Sequence, residues 1–128
     1  MPQLCRIDIR RGKEIYKEID YKLKKLSQIL QKKYRTTKII VFGSYVRGDL
    51  NEGSDIDLLI VGDFKEKFHK RSVGILNLTD LPLEPFCYTK EEFREMGKNN
   101  PFISEVMKEG VTIDYKKGNT IKWPRKRL

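Results

Sequence analysis

Between residues 13 and 34, the apolar side chains Ile15, Ile19, Leu23, Leu26 and Leu30 return every three or four positions, with lysines on the opposite face. That period matches the turn of an α-helix, so the pattern predicts one long amphipathic helix with a core-facing stripe. The pattern then changes. "KIIVF" at 38–42 and "SDIDLLIV" at 54–61 are short, largely apolar and rich in β-branched residues, which predicts two buried strands. "LEPFCY" at 83–88 predicts a third strand and "VTIDY" at 111–115 a last one. Residues 64–78 predict a helix weakened by Gly74. "KEEFREMGK" and "PFISEVMKEG" predict two shorter helices, the second opened by Pro101 and closed by Gly110. Strands alternating with helices predict a layered α/β or α+β domain.

A chain of 128 residues suits a single domain with one core of moderate size. We expect that domain over 1–115, followed by a basic tail over 116–128. No apolar run approaches the roughly 20 residues that span a membrane, and the first residues lack the apolar segment of a signal peptide. Both point to a cytoplasmic protein with no membrane partner. Cys5 and Cys87 form no C-x-x-C pair, which argues for two free thiols rather than a metal ribbon or redox motif.

The net charge of +9 is unevenly spread. Residues 1–40 carry 12 basic and 4 acidic side chains, residues 41–115 carry 9 and 14, and residues 116–128 carry 6 and none. Basic ends around an acidic middle suit a polyanionic partner, or a surface that steers a nucleotide inward. Lysines on a solvated helix face account for the same counts.

The candidate chemistry lies in "GSYVRGDLNEGSDIDLLIV", residues 43–61. A P-loop requires a Gly-Lys-Ser/Thr that is missing here. An EF-hand calcium loop running from Asp49 requires glycine at its sixth position and glutamate at its twelfth, where this chain has Ser54 and Ile60. A serine hydrolase requires a histidine partner and a G-x-S-x-G elbow. "GSY" is no such elbow, and the sole histidine, His69, reads as an ordinary surface residue of a charged helix.

What remains is metal chemistry on a strand. Residues two apart on a strand share a face, so Asp55 and Asp57 project together, while Ile56, Leu58 and Ile60 fill the other face. Two such carboxylates repel unless a cation lies between them. One magnesium ion, or a pair roughly 4 Å apart, would use them for in-line displacement at phosphorus. Gly43 and Ser44 stand where a strand turns into a short helix through about Gly48, with Ser44 placed to cap it. Gly43 would let a phosphate approach the backbone, and the Ser44 hydroxyl would add a donor. Arg47, one turn on, could reach a triphosphate oxygen. A plain turn and cap fits Gly43-Ser44, and turn solvation fits the two aspartates, when each is taken alone.

Together these residues resemble the signature of the DNA polymerase β-like nucleotidyltransferase superfamily. That signature is Gly-Ser, a spacer of about ten residues, then Asp-x-Asp heading an apolar strand. Here it is Gly43-Ser44, ten residues, then Asp55-Ile56-Asp57. "GSYVRG" with "SDID" is most similar to the minimal nucleotidyltransferases of archaea and bacteria. The resemblance implies a mixed β-sheet flanked by helices and transfer of a nucleoside monophosphate, most readily AMP from ATP, with release of pyrophosphate. It implies two Mg2+ ions held by three carboxylates. Asp55 and Asp57 match the first two. Glu84 is expected as the third, on the face shared with Phe86 and Tyr88, with Asp80 and Asp114 as alternatives. Pro85 beside it requires either a bulge or an N–H side facing solvent. The resemblance further implies that the acceptor hydroxyl is presented by a partner, often a small helical HEPN protein in a toxin–antitoxin pair.

Two other functions use different residues. An antitoxin-like interaction protein, neutralising a HEPN-type partner by binding, would use the 13–34 helix or Phe102, Ile103, Val106 and Met107. A nucleic-acid binder would use Lys22, Lys24, Lys25, Lys32, Lys33 and Arg35 with the tail around Trp123, though no base-reading motif accompanies them. The sequence leaves oligomer formation open.

Overall fold

In the computed structural model of the chain, residues 13–49 and 55–113 are described. Helix α1 runs Lys13–Tyr34. Its stripe of Ile15, Ile19, Leu23, Leu26 and Leu30 is buried at every position, so it packs on the sheet and is not free to contact a partner. Strand β1, Lys38–Phe42, leads into the single-turn helix α2, Ser44–Arg47. Strand β2 spans Ile56–Val61 and helix α3 spans Phe68–Leu76. Strand β3, Leu83–Tyr88, precedes helices α4, Lys90–Met96, and α5, Pro101–Glu109, and strand β4 is the short Val111–Thr112.

The four strands form one mixed sheet in the order β3-β2-β1-β4. β1 runs antiparallel to both β2 and β4, while β2 and β3 are parallel. The alternation of side chains sends Ile56, Leu58 and Ile60 into a core shared with α1, Ile75 of α3 and Cys87. It sends Leu59 and Val61 to the other face, against Ile103 and Val106 of α5 and with Phe93 and Met96 of α4 packed alongside. The sheet therefore has helices on both faces, and each face buries an apolar layer.

Pro85 is accommodated without a bulge. The register runs unbroken from Ile56↔Leu83 to Val61↔Tyr88, and β3 lies at the sheet edge, where a strand can dispense with one ladder donor. Arg71 ties the α3 side to the end of β3 and the start of α4. Although it is only 7% exposed, its guanidinium donates to Glu66 O at 2.9 Å, Cys87 O at 3.2 Å and both carboxylate oxygens of Glu92 at 2.6 and 3.3 Å. Glu92 also closes a capping box with Thr89 at the start of α4. The Arg71 hydrogen bond, with those around Thr89, holds the Glu92 carboxyl below the usual glutamate range.

Several expectations need adjustment or fall elsewhere. β2 begins at Ile56, so Asp55 precedes the strand instead of lying within it. Gly43, not Ser44, is the N-cap of α2; Ser44 is its first helical residue, and no side-chain oxygen caps that turn. β4 covers Val111–Thr112, and positions 114 and 115 of the expected strand lie outside the described residues. Cys5, Asp114, Trp123 and the tail over 116–128 lie outside the described residues. Cys87 is buried and free, and burial pushes its thiol up to about 12, which makes it unreactive. Among the described residues, no helix is long and apolar enough to cross a membrane.

Candidate active site

The expected site residues meet at one end of the sheet. Phe42, Asp57 and Glu84 form one row across β1, β2 and β3, through the register pairs Phe42↔Asp57 and Asp57↔Glu84. Paired residues point to the same face, so both carboxylates project toward the side covered by α4 and α5. Their side chains are hydrogen-bonded to each other. Rings of Phe42, Phe86 and Phe102 cluster with centroids 5.1 to 5.8 Å apart, making an apolar wall along that face.

The local electrostatics follow from this placement. The Asp57 carboxyl is pushed up to about 6, first by burial, then by its hydrogen bond to Glu84, and then by the negative charges of Glu84, Asp55 and Glu109. Three acids therefore act on a fourth. Asp55 is exposed just ahead of the strand, Asp57 is half-buried, and Glu84 is exposed.

Gly43 closes the other side of the pair. It follows β1 directly, and its φ of 82° lies in the left-handed half of conformational space. A methyl group placed there would collide with Asp57 Oδ2 and stand 3.1 Å from its Cγ. Only glycine lets the chain turn this sharply while the aspartate sits against it. The turn continues with Val46 N and Arg47 N donating to Gly43 O at 3.1 and 3.2 Å, and Gly48, at φ 80°, ends it. Beneath the turn, Tyr45 is fully buried and its hydroxyl donates to Asp20 Oδ1 at 2.7 Å, anchoring α2 to α1.

Arg47 is exposed and reaches Glu109 Oε1 at 2.7 Å and Asp49 Oδ2 at 3.5 Å. Glu109 Oε2 accepts from the Gly43 N–H at 3.1 Å. Glu109 ends α5, 66 residues away from Gly43, and is not among the residues that the sequence pattern singles out. No local signal marks it; a charged residue before a helix-closing glycine is commonplace. The alternative acid Asp80 is engaged elsewhere, with Lys22 Nζ at 3.1 Å. His69 is exposed on α3, away from the acid pair. Of the proposed contact residues, Ile103 and Val106 are core, Phe102 is half-buried and Met107 is exposed.

Among the described residues, no three His, Cys, Asp or Glu side chains converge to enclose a metal ion. That arrangement still fits magnesium, which is usually held by one or two carboxylates together with water and substrate phosphates, not by an all-protein cage. The donor set is oxygen alone and negatively charged, and the crowding that raises the Asp57 pKa is what a divalent cation would relieve.

The mixed sheet with helices on both faces thus carries an acid pair on neighbouring strands with a glycine turn against it. Residues 23–123 match the nucleotidyltransferase domain family, and the chain belongs to it. It is 49% identical over 97 residues to a Methanocaldococcus jannaschii protein named "Putative protein adenylyltransferase MJ1217", covering 73% of this chain and 92% of that one. A second from the same organism, "Putative protein adenylyltransferase MJ0126", is 46% identical over the same shares. A third, "Putative protein adenylyltransferase MJ0604", is 58% identical over a shorter 43-residue match, which covers 32% of this chain and 43% of that protein. The fold is also that of a crystal structure titled "putative nucleotidyltransferase from Sulfolobus solfataricus", with a TM-score of 0.55 at 18% identity, covering 82% of this chain and 86% of that one. The chain is thus an enzyme of the class that transfers a nucleoside monophosphate from a nucleoside triphosphate.

Proposed function

We propose that the chain transfers AMP from ATP, in a magnesium-dependent reaction, to a hydroxyl group on a partner protein. The observation that carries this reading is the Asp57–Glu84 pair, hydrogen-bonded across parallel strands beside the Gly43 turn. Asp57 and Glu84, side by side on neighbouring strands, would hold magnesium together with water and the substrate phosphates, and Asp55 would add its charge from just ahead of β2. When bound, the metal supplies charge neutralisation for the triphosphate and the leaving pyrophosphate, and lowers the pKa of the attacking hydroxyl. Two ions are the number that the sequence resemblance implies.

The chain's own groups do the rest. The Gly43 backbone N–H and the Arg47 guanidinium take triphosphate oxygens, and the Ser44 hydroxyl adds a donor at the first turn of α2. The acceptor oxygen attacks the α-phosphorus, the bond from that phosphorus to the β-phosphate bridging oxygen breaks, and pyrophosphate leaves. The hydroxyl proton passes to a carboxylate of the acid cluster. The Phe42, Phe86 and Phe102 wall keeps water from one side of that cluster.

The names of the relatives support adenylyl as the group and protein as the acceptor. A small helical HEPN-type protein is the partner that the sequence resemblance implies. The antitoxin-like alternative, in which binding alone suffices, is weakened for α1 because its apolar stripe is spent on the core.

The test is incubation with α-labelled ATP, magnesium and a purified HEPN-type protein. Label is expected on the partner and lost with chelator. The Asp55→Asn/Asp57→Asn double variant, folded by circular dichroism, should transfer none. Undiminished transfer by that variant overturns the reading.

A further inference from the structure

The carboxylate of Glu109 stands at the position that the proposed function gives to a phosphate. It accepts from Gly43 N–H at 3.1 Å and from Arg47 NH1 at 2.7 Å, which are two of the donors proposed for the triphosphate. A carboxylate and a phosphate present the same paired oxygens to an N–H and a guanidinium. One backbone N–H aimed at Glu109 cannot also bond a phosphate in full strength, so the two anions compete.

The placement is built into the fold. Asn100 caps the start of α5 by accepting from Ile103 N at 3.1 Å, and α5 is pinned to the sheet through Ile103 and Val106. At its other end, Gly110 lies so close to Ile40 and Val106 that a side chain there would collide with them. Strand β4 starts immediately afterwards and pairs Val111 with Val41. The end of α5 is thereby fixed against β1, one residue from the Gly43 turn, and Glu109 has a short reach to it.

We propose that Glu109 is a specificity-determining residue: an internal anion that occupies the phosphate donors and admits a triphosphate readily only when it arrives with its divalent cation. The inference rests on the reading of Gly43 and Arg47 as triphosphate donors. Any anion that takes those donors must break the two Glu109 contacts, and the freed carboxylate then remains nearby. Against a naked triphosphate it is repulsive. Against a metal-bearing triphosphate the repulsion is weaker, because each divalent cation cancels two of the negative charges. The cost of displacement therefore falls chiefly on ligands without metal.

The test is binding, not turnover. Affinities for tripolyphosphate and for a non-hydrolysable ATP analogue are measured by calorimetry, each with magnesium and with chelator, for the parent chain, Glu109→Gln and Glu109→Ala. Both substitutions should tighten metal-free tripolyphosphate about tenfold, while changing the magnesium complex by about twofold or less. Circular dichroism establishes that each is folded, and Gln retains the size of the side chain should Ala not fold. Weaker binding of both forms in the variants would make Glu109 a support for Arg47 and overturn the proposal. An equal gain with and without metal would also overturn it, since occupation alone would then explain the effect. If the parent chain binds neither ligand with magnesium, the triphosphate reading itself fails and takes this inference with it.

Discussion

Asp57 and Glu84 face each other across parallel strands and share a hydrogen bond, although each is a carboxylic acid. Such a pair is stable without metal only while it retains a proton. The same feature makes it receptive to a cation, so stability and function pull in opposite directions at this position.

Asp57→Asn should therefore stabilise the metal-free protein at neutral pH while abolishing nucleotidyl transfer. Removing one charge from the cluster should gain about 1 kcal/mol, less than the full shift would imply because the site is partly solvated. Urea unfolding in chelator measures the gain. A loss of stability would show that Asp57 is held by favourable contacts.

The pH dependence has a definite sign. The folded-state pKa of Asp57 is raised to about 6 from its ordinary value of 3.8, so the folded chain binds the extra proton between those values. The stability contributed by Asp57 is then present below about pH 4 and declines as pH rises through about 6. Melting temperature in chelator should show this decline, and Asp57→Asn should flatten it. Magnesium should restore stability above pH 6 in the parent chain and much less in the variant.

Gly43→Ala tests the turn. The left-handed backbone costs a non-glycine residue about 1–2 kcal/mol, and the added methyl also strikes Asp57 Oδ2. Transfer should fall at least about a hundredfold, since the carboxylate must move. Adding Asp57→Ala should recover part of the stability and none of the activity, as a double-mutant cycle in unfolding and transfer will show.

Arg71→Met should destabilise the fold by about 2–4 kcal/mol, because it removes the guanidinium from the carbonyls of Glu66 and Cys87 and leaves the Glu92 carboxylate with the Thr89 N–H but no cation. Glu92→Gln should cost about 1 kcal/mol, since Glu92 lies nearer solvent. Denaturant midpoints separate the two. Neither change touches the acid pair, so the magnesium dependence of transfer should be preserved in both.

The chain's local pattern was enough to determine most of the elements and the face on which Asp57 lies. The 3.6-residue period of α1 and the apolar runs of β1 and β2 depend on neighbouring side chains alone, and the structure repeats them closely. The two-residue period put Asp57 on the face opposite Ile56, Leu58 and Ile60, and the structure keeps it there. Gly43 was legible because a glycine ending a strand before Ser-Tyr invites a tight turn. Glu84 was legible as a candidate, but its position opposite Asp57 comes from the parallel register of β3, which depends on how α3 returns the chain. Glu109 could not be read at all. Its role arises from α5 packing on the sheet and from Gly110 fitting against β1, contacts between segments some 66 residues apart. Likewise the Arg71–Glu92 clamp exists only once α3, β3 and α4 have assembled. Local sequence sets which way each side chain points along its own element; which distant side chains it then meets is decided by packing, where burial of the two apolar layers outweighs any single polar contact.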